Sequence, residues 1–182
     1  SRISKISYPS GNIVWNMGLP AEFSTGDNNI CTNLGFSFQH NIQLLDDGTL
    51  LFFDNGNISQ NVLGDEFPTS RVRKVRVIDD AYCETIWEYE LPPNLFGGGM
   101  GSVQLLDNGN YLIYTFGNGW GQNEPTLTEI TSDYDVLWNY QGTNTAFWYR
   151  TYKIPSMYPE LFSVAVDNYK IIDDSNIVEI NN

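Results

Sequence analysis

The only histidine in this 182-residue chain, His40, stands in the stretch FSFQHNIQLLDDGTLLFFDNGN (36–57). A neutral imidazole can attack an electrophilic centre as a nucleophile, and a protonated one can assist a leaving group. Two cations could serve a negatively charged group beside it. Arg71, in SRVRKV, offers the planar fork that suits a multi-oxygen anion. Arg150, in FWYRTYKI, is flanked by Trp148, Tyr149 and Tyr152, so it can pair its charge with an aromatic face. Gln39 either orients the His40 ring or lies on the opposite strand face, since successive side chains alternate. Trp120, set between glycines in FGNGWGQNEP (116–125), is a candidate for the wall of a substrate cleft. Each residue also has a structural reading: His40 as a hydrogen-bonded strand edge, Arg71 as a salt bridge in an acidic protein, Arg150 as a contact between repeats. The Gly97–Gly101 stretch reads as a turn or as a place where backbone meets a ligand.

Composition narrows the classes. Twenty-two acidic residues against nine basic ones give a net charge of −13, which leaves no basic face for nucleic acid. One histidine and two cysteines are too few for a zinc cage, and no Asp-x-Asp-x-Asp calcium loop occurs. The chain also lacks a phosphate-cradling loop and a Gly-x-Ser-x-Gly elbow. The expectation is therefore no metal and no cofactor. No apolar run approaches the ~20 residues of a membrane span. With no Met at position 1 and no leader, the chain reads as a mature or cut product. Cys31 and Cys83 could pair in an oxidising compartment, a point that spacing alone leaves open.

An internal repeat supplies the elements that must carry these residues. HNIQLLDDGTLLFF (40–53) matches GSVQLLDNGNYLIY (101–114) without a gap, and each reads as a hairpin around Asp-Gly or Asn-Gly. A second pattern, strand, polar turn, Trp-bearing strand, occurs at 1–20, 70–92 and 127–142, with Trp15, Trp87 and Trp138. Four strands per unit predict an all-β protein built from the four-stranded antiparallel blades of a β-propeller. The expected division is the outer half of a blade at 1–20, blades at 36–92 and 101–142, and a connection with a partial terminal blade at 143–182. Three blades do not close a ring. The rest is expected from another segment or chain, or from copies of this one.

Taken in order, FQHNIQLLDDGTLLFFDNGN, SRVRKVRVIDD, GGGMGSVQLLDNGNYLIYTFGNG, LTEITSDYDVLWNY and YRTYKIPSMYP resemble the arylsulfotransferase family over about residues 36–160. The resemblance implies a six-bladed propeller, secreted or periplasmic in bacteria. It implies transfer of a sulfuryl group between phenolic sulfate esters and phenols, through a transient sulfohistidine and without a nucleotide donor. His40 matches the family's histidine in the Gln-His motif, and Arg71 its arginine in the Ser-Arg motif. The sequence departs from the family in having one histidine: the place of His40 in the next repeat is Gly101. The alternative is a non-catalytic extracellular propeller, acting as a scaffold or as a binder of sulfated glycans or other carbohydrates.

Overall fold

The computed structural model describes residues 1–19, 28–117, 124–143 and 147–155, together with the backbone of strands at 169–172 and 177–180. Its regular structure is almost entirely β. A first sheet comprises β1 (Ile3–Ile6), β2 (Ile13–Met17) and the two-residue β3 (Asn29–Ile30), which runs parallel to β2. The second sheet is an antiparallel meander of β4 (His40–Leu44), β5 (Leu50–Asp54), β6 (Arg71–Ile78) and β7 (Tyr82–Glu90). The third repeats that meander with β8 (Ser102–Leu105), β9 (Tyr111–Thr115), β10 (Thr126–Ile130) and β11 (Val136–Gln141). A separate hairpin pairs β12 (Tyr169–Ile172) with β13 (Ile177–Ile180). One short helix, α1 (Ser59–Leu63), interrupts the link from β5 to β6.

The second sheet lies between the other two. Side chains alternate across a strand, so β5, LLFFD, sends Phe52 one way and Leu51 and Phe53 the other. Phe52 packs with Ile3, Trp15, Met17, Ile30 and Phe36. Leu51 and Phe53 pack with Val72, Val103, Tyr111, Ile113 and Ile130. Both faces of β5 are therefore covered, which is why it reads as an unbroken apolar run rather than an alternating one. Burying each phenylalanine contributes roughly 2–3 kcal/mol.

The hairpin turns differ in one detail from the expectation of two positive-φ central residues. Only the glycines are left-handed, Gly48 at φ 77° and Gly109 at φ 84°. Each loop has one extra residue, closed by bonds such as Leu45 N–H to Thr49 O at 2.8 Å and Gly48 N–H to Leu45 O at 2.9 Å. That is the three-residue loop with a left-handed glycine and a bulge. Asp47 favours it by accepting the Thr49 N–H at 3.0 Å, and Asn108 does the same for Asn110 at 3.1 Å.

The tryptophans tie neighbouring sheets together. Trp15 donates its indole N–H to Asp80 at 2.7 Å, in the β6–β7 turn. Trp87 stacks on Tyr111 with centroids 4.0 Å apart and donates to Ser132 O, in the β10–β11 turn, at 2.8 Å. Both indoles thus donate into the turn between the last two strands of the next sheet. Trp138 turns back to Glu129 within its own sheet at 2.9 Å and stays 40% exposed.

Cys31 and Cys83 form a disulfide, with Cα atoms 5.3 Å apart. It joins the segment after β3 to β7, and so couples the first sheet to the second.

The second sheet also buries an acid. Asp54 accepts backbone N–H groups from Ser37 at 2.9 Å and Gly56 at 3.1 Å, and its other oxygen lies 3.3 Å from Arg73 Nε. Burial pushes its carboxyl up to about 6, against the opposing pull of the Arg73 charge and the two backbone bonds. A raised folded-state value means that the folded chain holds the proton more tightly than the unfolded one. The group therefore lowers stability above about pH 6, and the penalty is relieved as pH falls from there toward 4. Wild type should gain about 1 kcal/mol on Asp54→Asn between pH 7 and pH 5, of the roughly 3 kcal/mol that is complete only below about pH 4. Urea melts of both proteins at the two pH values check this, and parallel pH dependences would contradict it.

Candidate functional site

His40 opens β4 at an irregular point. It pairs opposite Phe53, and the register then shifts before Gln43. Phe38 at φ 55° and Asn41 at φ 53° flank it, two non-glycine residues in the left-handed region. Strain of this kind gathers where a side chain must be aimed, and a bulge aims it by re-setting the strand. Asn41 is buried and bridges to β8: its Oδ1 accepts the Val103 N–H at 2.9 Å, and its Nδ2 donates to the Tyr152 hydroxyl at 2.8 Å. Gln43 adds a bond from Nε2 to Val103 O at 2.6 Å. One repeat on, Gln104 exchanges bonds with the Lys153 backbone at 2.8 and 3.1 Å. Ser102 does the same with Thr151 at 3.0 and 3.1 Å. The segment 147–155 is thereby held along β8 by side chains that repeat the β4–β8 linkage, and it delivers Tyr149 and Arg150 beside His40.

The result is a cleft of about 600 Å³ lined by Arg2, Gln39, His40, Asn41, Tyr149 and Arg150, with Ile3, Ser4 and Ile42 along one side. The Tyr149 ring meets His40 edge-on, with centroids 6.0 Å apart. The Arg150 guanidinium lies 5.1 Å from the centroid of the same tyrosine. Gln39, which precedes β4 and also lines the cleft, donates to Arg2 O at 2.8 Å and so anchors the Arg2 backbone rather than the imidazole.

The charge pattern of this cleft sets it apart. Lys5, Arg71, Arg73, Lys74, Arg76 and Lys153 all have carboxylate partners. Among the described residues, the basic side chains without one are Arg2 and Arg150, and both line the cleft. Among the described residues no carboxylate lines it. In a chain of net charge −13, this concentrates unneutralised positive charge around one imidazole, which favours an anion.

Arg71 stands apart. It lies two strands from His40 on β6 and does not line the cleft. Its guanidinium is buried, donating to Asp65 at 2.7 Å, Glu90 at 3.3 Å and Thr69 O at 3.3 Å. Burial works against its charge, but the neighbouring carboxylates outweigh that and its pKa is raised. The structure therefore brings together His40, Gln39 and Arg150 but not Arg71, whose donors are spent on closing the 65–71 loop. Trp120 lies outside the described residues. Arg2, which stands second in the 1–20 copy of the pattern as Arg71 does in the 70–92 copy, lines the cleft where Arg71 does not.

Gly101 explains why the second repeat carries no histidine. A Cβ at this residue, whose φ is 98°, would sit 2.8 Å from the Phe53 ring. The space that a side chain would need is filled by the core. Asn57 donates its amide to Gly98 O and so is engaged in the same loop. Among the described residues no group of three or more His, Cys, Asp or Glu is arranged to hold a metal, and no helix is long and apolar enough to cross a membrane.

Fold and cleft together define an all-β protein of repeated four-stranded antiparallel sheets, with a cationic, imidazole-bearing groove. Residues 1–150 match the family described as Arylsulfotransferase (ASST), and the chain belongs to that family. No curated protein matches the chain. Among solved structures it is similar to the crystal structure of a protein of unknown function from Bacteroides caccae, at 15% identity and a TM-score of 0.37. The match covers 77% of this chain and 54% of the other, so this chain spans about half of that protein's length.

Proposed function

We propose that this chain carries a sulfuryl-handling wall of an aryl-sulfate sulfotransferase-like protein, with His40 as the acting imidazole. The observation that carries the reading is that Arg2 and Arg150, the basic side chains without a carboxylate partner among the described residues, line the same cleft as the one histidine. His40 attacks the sulfur of an aryl sulfate, the S–N bond forms, and the S–O bond to the aryl group breaks with its electron pair leaving on the phenolate. An acceptor phenol then attacks the sulfohistidine, loses its proton to solvent, and returns the imidazole. Arg2 and Arg150 neutralise the non-bridging oxygens, and Tyr149 offers the aryl ring an aromatic edge. Arg71 holds the scaffold behind them. The remaining blades of a closed propeller come from another segment, another chain or self-association. The Cys31–Cys83 bond supports an exported, secreted or periplasmic, setting.

The test is release of a chromogenic phenol from its sulfate ester in the presence of an acceptor phenol, using the full-length protein. His40→Ala should lower turnover by at least about a hundredfold; unchanged turnover would remove His40 from the chemistry. A second reading, a binding propeller without turnover, draws on Gly101, where the core leaves no room for a second imidazole. Saturable binding of the ester by wild type with no phenol released would select it.

A further inference from the structure

The hydrogen bonds behind His40 single out a residue outside the site residues that the sequence suggests. Asn55, directly after β5, is 0% exposed. Its amide nitrogen donates to Gly97 O at 2.6 Å and Met100 O at 2.9 Å. Two carbonyls can be met only by the nitrogen end of a carboxamide, so the orientation is fixed and Oδ1 faces the imidazole. That oxygen lies 2.6 Å from His40 Nδ1, and the Phe38 carbonyl lies 2.9 Å from the same nitrogen. Both are acceptors, so Nδ1 must carry a proton. In the neutral ring the lone pair then sits on Nε2, which has no hydrogen-bond partner among the described residues.

The support continues one layer further out. Ser70 donates its hydroxyl to Asn55 O at 2.8 Å and accepts the Gly97 N–H at 2.9 Å. The 97–101 loop between the second and third sheets is thereby clamped to the residue that faces His40. Met100 is held at φ 52° within it.

We propose that Asn55 is a positioning residue, and that with the 97–101 loop it locks His40 as the Nδ1–H tautomer with Nε2 bare for reaction. The inference rests on His40 being the acting imidazole, but its test needs no turnover. With a single histidine in the chain, a long-range ¹H–¹⁵N spectrum of histidine-labelled, full-length protein shows one pair of ring nitrogens, provided the protein carries no further histidine; otherwise His40→Gln identifies the pair. At a pH where the ring is neutral, wild type should show a protonated Nδ1 and an unprotonated Nε2. Asn55→Ala should lose this single-tautomer signature and give a mixture. Asn55→Asp, which keeps an acceptor but loses both donors to the loop, should retain it. An Nε2–H ring in wild type or in Asn55→Asp overturns the proposal. So does an Asn55→Ala spectrum identical to wild type, which would leave the Phe38 carbonyl sufficient alone. If Asn55→Ala does not fold, wild type and Asn55→Asp still decide. The expected tautomer without turnover would sink the sulfuryl-transfer reading alone, and the wrong tautomer with turnover would sink only the role of Asn55.

Discussion

Gly56→Ala is expected to cost at least about 4 kcal/mol, a large part of the 5–15 kcal/mol that holds a typical domain folded. Gly56 sits at φ 68°, where an L-residue already loses about 1–2 kcal/mol. The larger cost is steric: a Cβ would fall 1.7 Å from Thr69 O and 2.7 Å from its carbonyl carbon. Neither side can yield cheaply. Gly56 N–H is held by Ser37 O at 3.0 Å and by Asp54 Oδ1 at 3.1 Å. Thr69 is held in turn by the Ser59 hydroxyl at 2.8 Å. Gly48→Ala is the control, because Gly48 has a similar φ of 77° but open space within 4 Å. Urea denaturation should show Gly48→Ala losing only the backbone cost, and Gly56→Ala far more or no folded protein. Equal losses would contradict the close approach of the 54–59 turn to the 69–70 backbone. Because that turn carries Asn55, the same packing also fixes the His40 side of the cleft.

Removing the disulfide by Cys31→Ser with Cys83→Ser is expected to cost about 4 kcal/mol, as the chain-entropy relation gives for the 52-residue separation. The loss should be local. Cys31 packs with Ile3, Trp15, Met17 and Phe52, and Cys83 lies against the same cluster, so the bond supports the interface of the first and second sheets. The second and third sheets keep their own core around Phe53, Val103 and Ile113. Hydrogen exchange should therefore show amides of β1 and β2 losing protection first, with β9 and β10 keeping most of theirs. Uniform exchange in all three sheets would contradict a separable first interface. Arg2 and Ile3 lie on the first sheet's side of the cleft, so loosening it should also weaken the cleft.

Much of the architecture was legible because the repeat is written in turn chemistry. Asp47-Gly48 and Asn108-Gly109 each sit between apolar strands, and the hairpins β4–β5 and β8–β9 form there. The recurring tryptophans marked equivalent strands, and Trp15 and Trp87 do make equivalent contacts on the next sheet. The short β3 was not legible, since two residues carry no period. The site was legible in part. Gln39 and His40 are adjacent in sequence, and Arg150 joins them because the 147–155 segment is held along β8. Arg71 carried the same local signal, but a guanidinium takes whatever carboxylates the loops supply, and Asp65 and Glu90 arrive from positions that no motif links to it. Asn55 was missed because Asp-Asn-Gly-Asn is ordinary turn composition, and only the fold places its amide between the 97–101 loop and the imidazole.

His40, in its anion-favouring cleft, is expected to take up the sulfuryl group itself. The most direct measurement mixes the full-length protein with an aryl sulfate and no acceptor, quenches it under conditions that preserve N–S bonds, and determines the mass of the peptide containing residues 36–57. This peptide should gain the mass of one sulfuryl group at His40, and the gain should disappear on adding an acceptor phenol. Phenol release with the peptide unmodified, or modification at any other side chain, would contradict it.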